Sequence, residues 1–219
     1  AITVFGLDNV ERERQIKQNV GVVFDSNPYV DEWTIAETEK AISPFYSTWK
    51  HDVFSEMLER FHLPSNAKVG KLSRGMQMKL MLACSFSHAA KLLILDEPTS
   101  GLDPLSRDEL LDEDKSVLFS THITSDLQRV ADYITFLANG KLIFTGSMDD
   151  LLQKYRLIKG APNELTPQLS KDIIGLRKTN MGFEGLINVS SVQKYKGYLF
   201  DVPTIDDIVI YINKGRDLT

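Results

Sequence analysis

Leu92 to Asp103 reads LLILDEPTSGLD, and this stretch decides the fold. Four consecutive apolar residues without polar alternation describe a strand covered on both faces, as in a parallel sheet packed by helices. Asp96 and Glu97 then leave at the C-terminal edge of that sheet, where open α/β folds bind their ligands. Pro98 closes the strand and opens a loop. Taken alone the fragment also reads as an ordinary strand end, and two further stretches give it meaning.

Upstream, Leu72-Ser73-Arg74-Gly75-Met76 precedes the strong helix formers Gln77 to Ala83. Ser73 is suited to be an N-cap, which leaves the N–H groups of Arg74, Gly75 and Met76 at the positive end of a helix dipole. Such a helix start takes phosphate readily, although an isolated Ser-x-Gly is also what any capped helix shows. Downstream, Ser116 to Ser120 make a second short strand, followed by Thr121 and His122. A histidine just past a strand end can hydrogen-bond a phosphate oxygen from the same edge as Asp96 and Glu97, or be a solvated loop residue.

A phosphate-binding helix start, LLILDEPTSGLD and FSTH in this order resemble the ATP-binding subunits of ABC transporters. In that resemblance Leu72 to Met76 correspond to the signature motif, Leu92 to Glu97 to the Walker B strand, Ser100 to Asp103 to the D-loop and His122 to the switch histidine. It spans about residues 2–155. The fold it implies is α/β: a P-loop NTPase-like, mainly parallel sheet with a helical subdomain over about residues 26–73 and an antiparallel β part. A small C-terminal α+β appendage completes it. The domains expected are 1–155 for the ATP-binding domain and 156–219 for an accessory domain.

Two features of the family pattern are not found. No GxxxxGK[ST] occurs in the 219 residues, and Ile2-Thr3-Val4-Phe5-Gly6 resembles the strand that follows the P-loop helix, so the chain reads as a fragment. Between Asp103 and Val117 there is little room for the crossover helix that parallel strands need, which suggests further missing residues there. The signature LSGGQ appears as LSRGM, a variant similar to those of ABC-2-type exporters. Arg74 adds positive charge beside the proposed phosphate site.

Composition narrows the class. Net charge is -5, 42% of residues are hydrophobic and no apolar run approaches the 18 to 20 residues that cross a bilayer. A membrane path would therefore belong to another chain. The acidic balance argues against nucleic acid, which relies on clustered Lys and Arg. The single Cys84 sits in the apolar stretch Leu80 to Phe86 and reads as a small core residue.

The other segments fall around the motifs. Val20 to Phe24 reads as a strand broken by Asp25-Ser26-Asn27-Pro28, and Asp25 occupies the place of the family's Q-loop. There it could serve Mg²⁺ or the attacking water as a hard oxygen ligand, or close the strand as an Asx-turn. Residues 34–62 turn helical, with Phe54, Met57, Leu58 and Phe61 on one face. Tyr29, Trp33, Phe45, Tyr46 and Trp49 could line a cleft for a helix of a membrane subunit, though aromatics more often fill a core. Ile123 to Ala131 can form a short helix, Asn139-Gly140 between two apolar runs signals a hairpin, and Met148 to Tyr155 a helix. In the last part, Gly185 to Val189 and Gly197 to Val202 read as strands and Thr204 to Ile212 as an amphipathic helix.

The resemblance implies an ATPase with ATP and Mg²⁺ as substrate and cofactor. Glu97 would be the general base, Asp96 and Asp25 would hold Mg²⁺, and His122 would contact the γ-phosphate. Ser73, Arg74 and Gly75 would meet the nucleotide of an opposing subunit, and Asp103 would connect the two sites of a homo- or heterodimer. A membrane-spanning permease would be the partner, with the ATPase peripheral on the cytoplasmic face and export the direction. Two alternatives stand beside it: a soluble ABC ATPase outside transport, and a catalytically silent nucleotide-binding or regulatory module.

Overall fold

A computed structural model describes residues 2–98, 115–124, 127–128, 131–138 and 140–216. Asp103, the crossover between the Walker B-like strand and the next, most of the helix expected over 123–131, and Asn139 lie outside these residues. The chain forms two compact units, residues 1–122 and 123–219.

The first unit opens with a short antiparallel hairpin, β1 (Thr3–Val4) and β2 (Leu7–Asp8), turning through Phe5 and Gly6, both at positive φ. A short helix α1 (Glu13–Lys17) leads into β3 (Val20–Val23). β3 pairs in parallel with β4 (Leu92–Asp96), which pairs in parallel with β5 (Ser116–Ser120), giving a sheet of order β3-β4-β5. One face of this sheet carries Val23, Leu93 and Leu95, all buried, with Val117 and Phe119 packed beside them. The other face carries Val22, Ile94 and Leu118 in lateral register, 38%, 37% and 60% exposed, so among the described residues the cover expected on both faces is present on one only.

The buried face receives α4 (Arg74–Ser87), whose nine residues Met78 and Leu80 through Ser87 are all buried. A helix apolar on every side belongs inside a core. Close approach is possible because Gly21 of β3 faces Ser85, where a Cβ would lie 2.6 Å from the serine Cβ. Between β3 and α4 the chain builds the helical region: α2 (Ile35–Ile42), a 3-10 turn at Ser43–Phe45, and α3 (His51–Arg60). Thr34 starts α2 through a full capping box with Glu37. Phe54, Met57, Leu58 and Phe61, the face expected from their spacing, are buried in the same cluster as Met78, Met81 and Leu82.

The second unit begins with the hairpin β6 (Tyr133–Ala138) and β7 (Lys141–Ser147), as the Asn-Gly signal predicts. Helix α5 (Met148–Lys154) ends one residue earlier than expected, because Tyr155 opens β8 (Tyr155–Gly160). Then follow α6 (Pro167–Asp172), β9 (Ile174–Thr179), β10 (Gly182–Asn188), β11 (Leu199–Asp201) and α7 (Ile205–Arg216). The antiparallel sheet has order β11-β8-β10-β9. Ile158, Phe183 and Ile187 pack with Leu169 of α6, while Leu157 and Leu186 share a second core with Ile205, Ile208, Tyr211 and Ile212 of α7. Ile134 of the hairpin and Leu151 of α5 join that second core, so hairpin and C-terminal sheet are one packing unit.

Candidate functional site

Parallel pairing puts the C-terminal ends of β3, β4 and β5 at one sheet edge. Val23 stands opposite Leu95 and Asp96 opposite Ser120, so Asp25, Asp96, Glu97 and His122 all follow strands that end together. The register, rather than any single motif, assembles the site.

Ser120 organises it. Its hydroxyl donates to Asp96 Oδ1 at 2.6 Å, and its carbonyl accepts the Glu97 N–H at 3.1 Å. The same N–H lies 3.2 Å from Ser120 Oγ. Glu97 adopts φ +48°, a left-handed conformation uncommon outside glycine, which turns the chain sharply out of β4. That turn delivers the Glu97 carboxylate to His122: Nδ1 is 2.8 Å from Oε2, and the His122 N–H reaches the same oxygen at 3.4 Å. With Nδ1–H donating, Nε2 is left as the ring's other polar atom. The carboxylate is 26% exposed and the imidazole 76%, so the pair is open to solvent on the histidine side.

Ser120 is the residue that sequence reasoning overlooked. A serine ending a strand carries no signal of its own; only its register opposite Asp96 gives it a role. Spacing in the chain likewise gives no sign of the Glu97–His122 bond, because each residue by itself reads as a nucleotide contact.

On the neighbouring helix, Ser73 caps α4 as expected, its hydroxyl accepting the Met76 N–H at 3.3 Å. Gly75 lies in the first turn. Arg74 does not stand free: its Nη2 donates to Oδ1 of Asp25, which brings two predicted site residues into one ion pair. Asp103 lies outside the described residues.

Hard oxygen ligands suit Mg²⁺. Asp96, hydrogen-bonded to Ser120, and Asp25, paired with Arg74, are the carboxylates that could supply them. Among the described residues no group of three or more His, Cys, Asp or Glu could hold a metal by itself. That donor set fits an ion that takes one or two carboxylates and completes its shell with water and phosphate.

A separate surface cavity of about 580 Å³ lies in the same unit, lined by residues that include Arg14, Lys17, Gln18, Pro44, Phe45 and Tyr46. Gln18 ties its two walls, donating to Phe45 O at 2.7 Å and accepting from the Ser47 N–H at 3.0 Å. Tyr46 stacks on His88, centroids 4.0 Å apart. His88 is buried, with its ring nitrogens 3.0 Å and 3.3 Å from the carbonyls of Cys84 and Val20, and burial pulls its pKa below the ordinary histidine value. Of the five aromatics proposed for a cleft, Phe45 is 76% and Trp33 40% exposed, whereas Tyr29 and Trp49 pack against the core. Burial also raises the Tyr29 hydroxyl well above its usual pKa.

A family model described as ABC transporter matches residues 2–100. The chain is 30% identical over 168 residues to the ABC transporter ATP-binding protein NatA of Bacillus subtilis (strain 168), covering 71% of this chain and 68% of that protein. It belongs to the ATP-binding proteins of ABC transporters. This ABC chain is also 32% identical over 182 residues to the Nod factor export ATP-binding protein I of Rhizobium etli, covering 75% of this chain and 58% of that relative. Against YtrB of Bacillus subtilis, an ABC transporter ATP-binding protein, identity is 28% and the chain spans 55% of the relative's length. A solved structure titled "Structure of ATP binding subunit of ABC transporter" superposes with a TM-score of 0.61 at 26% identity, over 69% of this chain and 68% of that one. Family and α/β fold thus agree with the resemblance carried by the motifs. Among the described residues no helix is long and apolar enough to cross a membrane.

Proposed function

We propose that this chain is the ATP-hydrolysing subunit of an exporter, working as a dimer on the cytoplasmic face of a membrane-spanning permease. The observation that carries this reading is the bond between His122 and Glu97 at the sheet edge that also holds Asp96. Hydrolysis of a phosphoanhydride needs a water held in line and relieved of a proton. Two observations support Glu97 in that role: its backbone N–H is bonded to Ser120 and its carboxylate to the imidazole. His122 holds the Glu97 carboxylate until a γ-phosphate offers a stronger acceptor, and then stabilises that phosphate. Asp96 and Asp25 would hold Mg²⁺, which when bound neutralises charge on the phosphate oxygens. Ser73, Arg74 and Gly75 face the nucleotide of the opposing subunit, and Asp103 links the two sites.

The cavity beside Phe45 and Tyr46 would receive a short helix of the permease. His88 backs it, with ring nitrogens at the carbonyls of Val20, where β3 begins, and Cys84 of α4. The role of an exporter is supported by the Nod factor export relative. Residues 156–219 would have an accessory role, packed in one core with the hairpin before them.

Replacing Glu97 with Gln tests the reading. Turnover of ATP should fall by about 10²–10⁴-fold, the usual contribution of a positioned base, while nucleotide binding persists. Turnover within tenfold of wild type refutes Glu97 as the base. Wild-type chain that binds nucleotide without hydrolysing it would select a second reading, a catalytically silent nucleotide-binding module.

A further inference from the structure

Two residues proposed to serve different nucleotides are bonded to each other in this structure. Asp25 leaves the sheet edge of Asp96 and Glu97 and so belongs with the nucleotide of its own chain. Arg74 opens α4, whose N-terminal turn is proposed above to meet the nucleotide of the opposing subunit. Yet the Arg74 guanidinium donates to the Asp25 carboxylate, across 49 residues of sequence.

We propose that Arg74 is exchanged between Asp25 and the γ-phosphate of the opposing subunit's nucleotide, so that phosphate arriving at one site releases the carboxylate for the other. This rests on the nucleotide role proposed above. The pair has the properties an exchange needs. Both side chains are about half exposed, 56% for Arg74 and 51% for Asp25, and exposed ion pairs are weak enough to be displaced. A guanidinium binds carboxylate and phosphate through the same planar fork, and a terminal phosphate brings more charge and three oxygens. The first turn of α4 is held by the Ser73 cap whichever anion Arg74 takes, so only side chains need move. Nucleoside diphosphate lacks the γ-phosphate, so after hydrolysis Arg74 returns to Asp25 and both sites reset together.

The readout is ATP-dependent self-association of the full chain, followed by sedimentation with EDTA present so that any service of Asp25 to Mg²⁺ is silent. Asp25→Asn frees Arg74 in advance and should lower the ATP concentration at half-association by about three- to five-fold, the worth of an exposed pair. ADP should not show the gain. Arg74→Gln should weaken association, and adding Asp25→Asn to it should then change nothing further. Asp25→Ser serves as a second probe should the Asn variant be poorly folded. An Asp25 effect that is absent, opposite in sign, or equally large in the Arg74→Gln background overturns the exchange alone. Wild-type chain that does not associate with ATP overturns the exchange together with the nucleotide role on which it rests.

Discussion

Gly21→Ala should destabilise the first unit by about 2 kcal/mol, and the reason is geometric. A Cβ at residue 21 would stand 2.6 Å from Ser85 Cβ, 2.8 Å from Ser85 Oγ and 2.8 Å from Leu93 Cδ2. The Leu93 methyl can rotate aside, but Ser85 Cβ is fixed to the helix backbone, so α4 and β3 must part by about 0.8 Å to reach ordinary contact at 3.4 Å. Overpacking of this kind costs about 1–3 kcal/mol. Both tryptophans, Trp33 and Trp49, lie in the first unit, so their fluorescence during urea unfolding reports that unit alone. Ser85→Gly removes the obstructing atoms at about 0.5 kcal/mol of helix propensity. In that background Gly21→Ala should cost less than half of what it costs in wild type, a coupling that a double-mutant cycle reads directly. A Gly21→Ala effect below about 0.5 kcal/mol, or equal in both backgrounds, refutes the claim that a glycine seats α4 on the sheet.

Gly175→Ala should loosen the second unit by about 2 kcal/mol or more, because residue 175 has φ +67° and its Cβ would lie 2.1 Å from the Tyr211 carbonyl of α7. Hydrogen exchange in α7 should rise if so. His88 is held below the ordinary pKa of 6.5 by burial, so its unfolded form binds the proton first; its contribution is intact above pH 6.5 and lost as pH falls below it. Tryptophan-monitored stability should decline through that window, and His88→Gln should flatten the decline. Cys84 is 5% exposed and its thiol is pushed up to about 12 by burial, so native chain should react with a thiol reagent at least about 100-fold more slowly than urea-unfolded chain.

The sequence alone determined the local elements wherever a short-range rule is strong. Ser73 announced its helix because a side-chain oxygen at an N-cap satisfies orphan amides. The i, i+3, i+4, i+7 face of α3 announced burial because periodicity follows backbone geometry, whereas the apolar run at Leu92 announced a strand of which Leu93 and Leu95 are buried and Ile94 is exposed. The Asn-Gly pair announced the hairpin of the second unit for the same kind of reason. Less was legible after Arg156: β8, α6 and β9 are short, and their stability comes from each other rather than from local signals.

Within the site the division falls in the same place. Asp96, Glu97 and His122 could be named from the chain as chemical groups near strand ends. Their relations could not be, because a contact between residues 97 and 122, or 25 and 74, depends on parallel register and on how α4 sits over Gly21. That is why Ser120 and the Arg74–Asp25 pair became visible only in three dimensions. Residue type and spacing are properties of a line, and they determined which groups this chain offers. Which group holds which was decided by packing, since it is packing that brings residues distant in that line to within hydrogen-bonding reach.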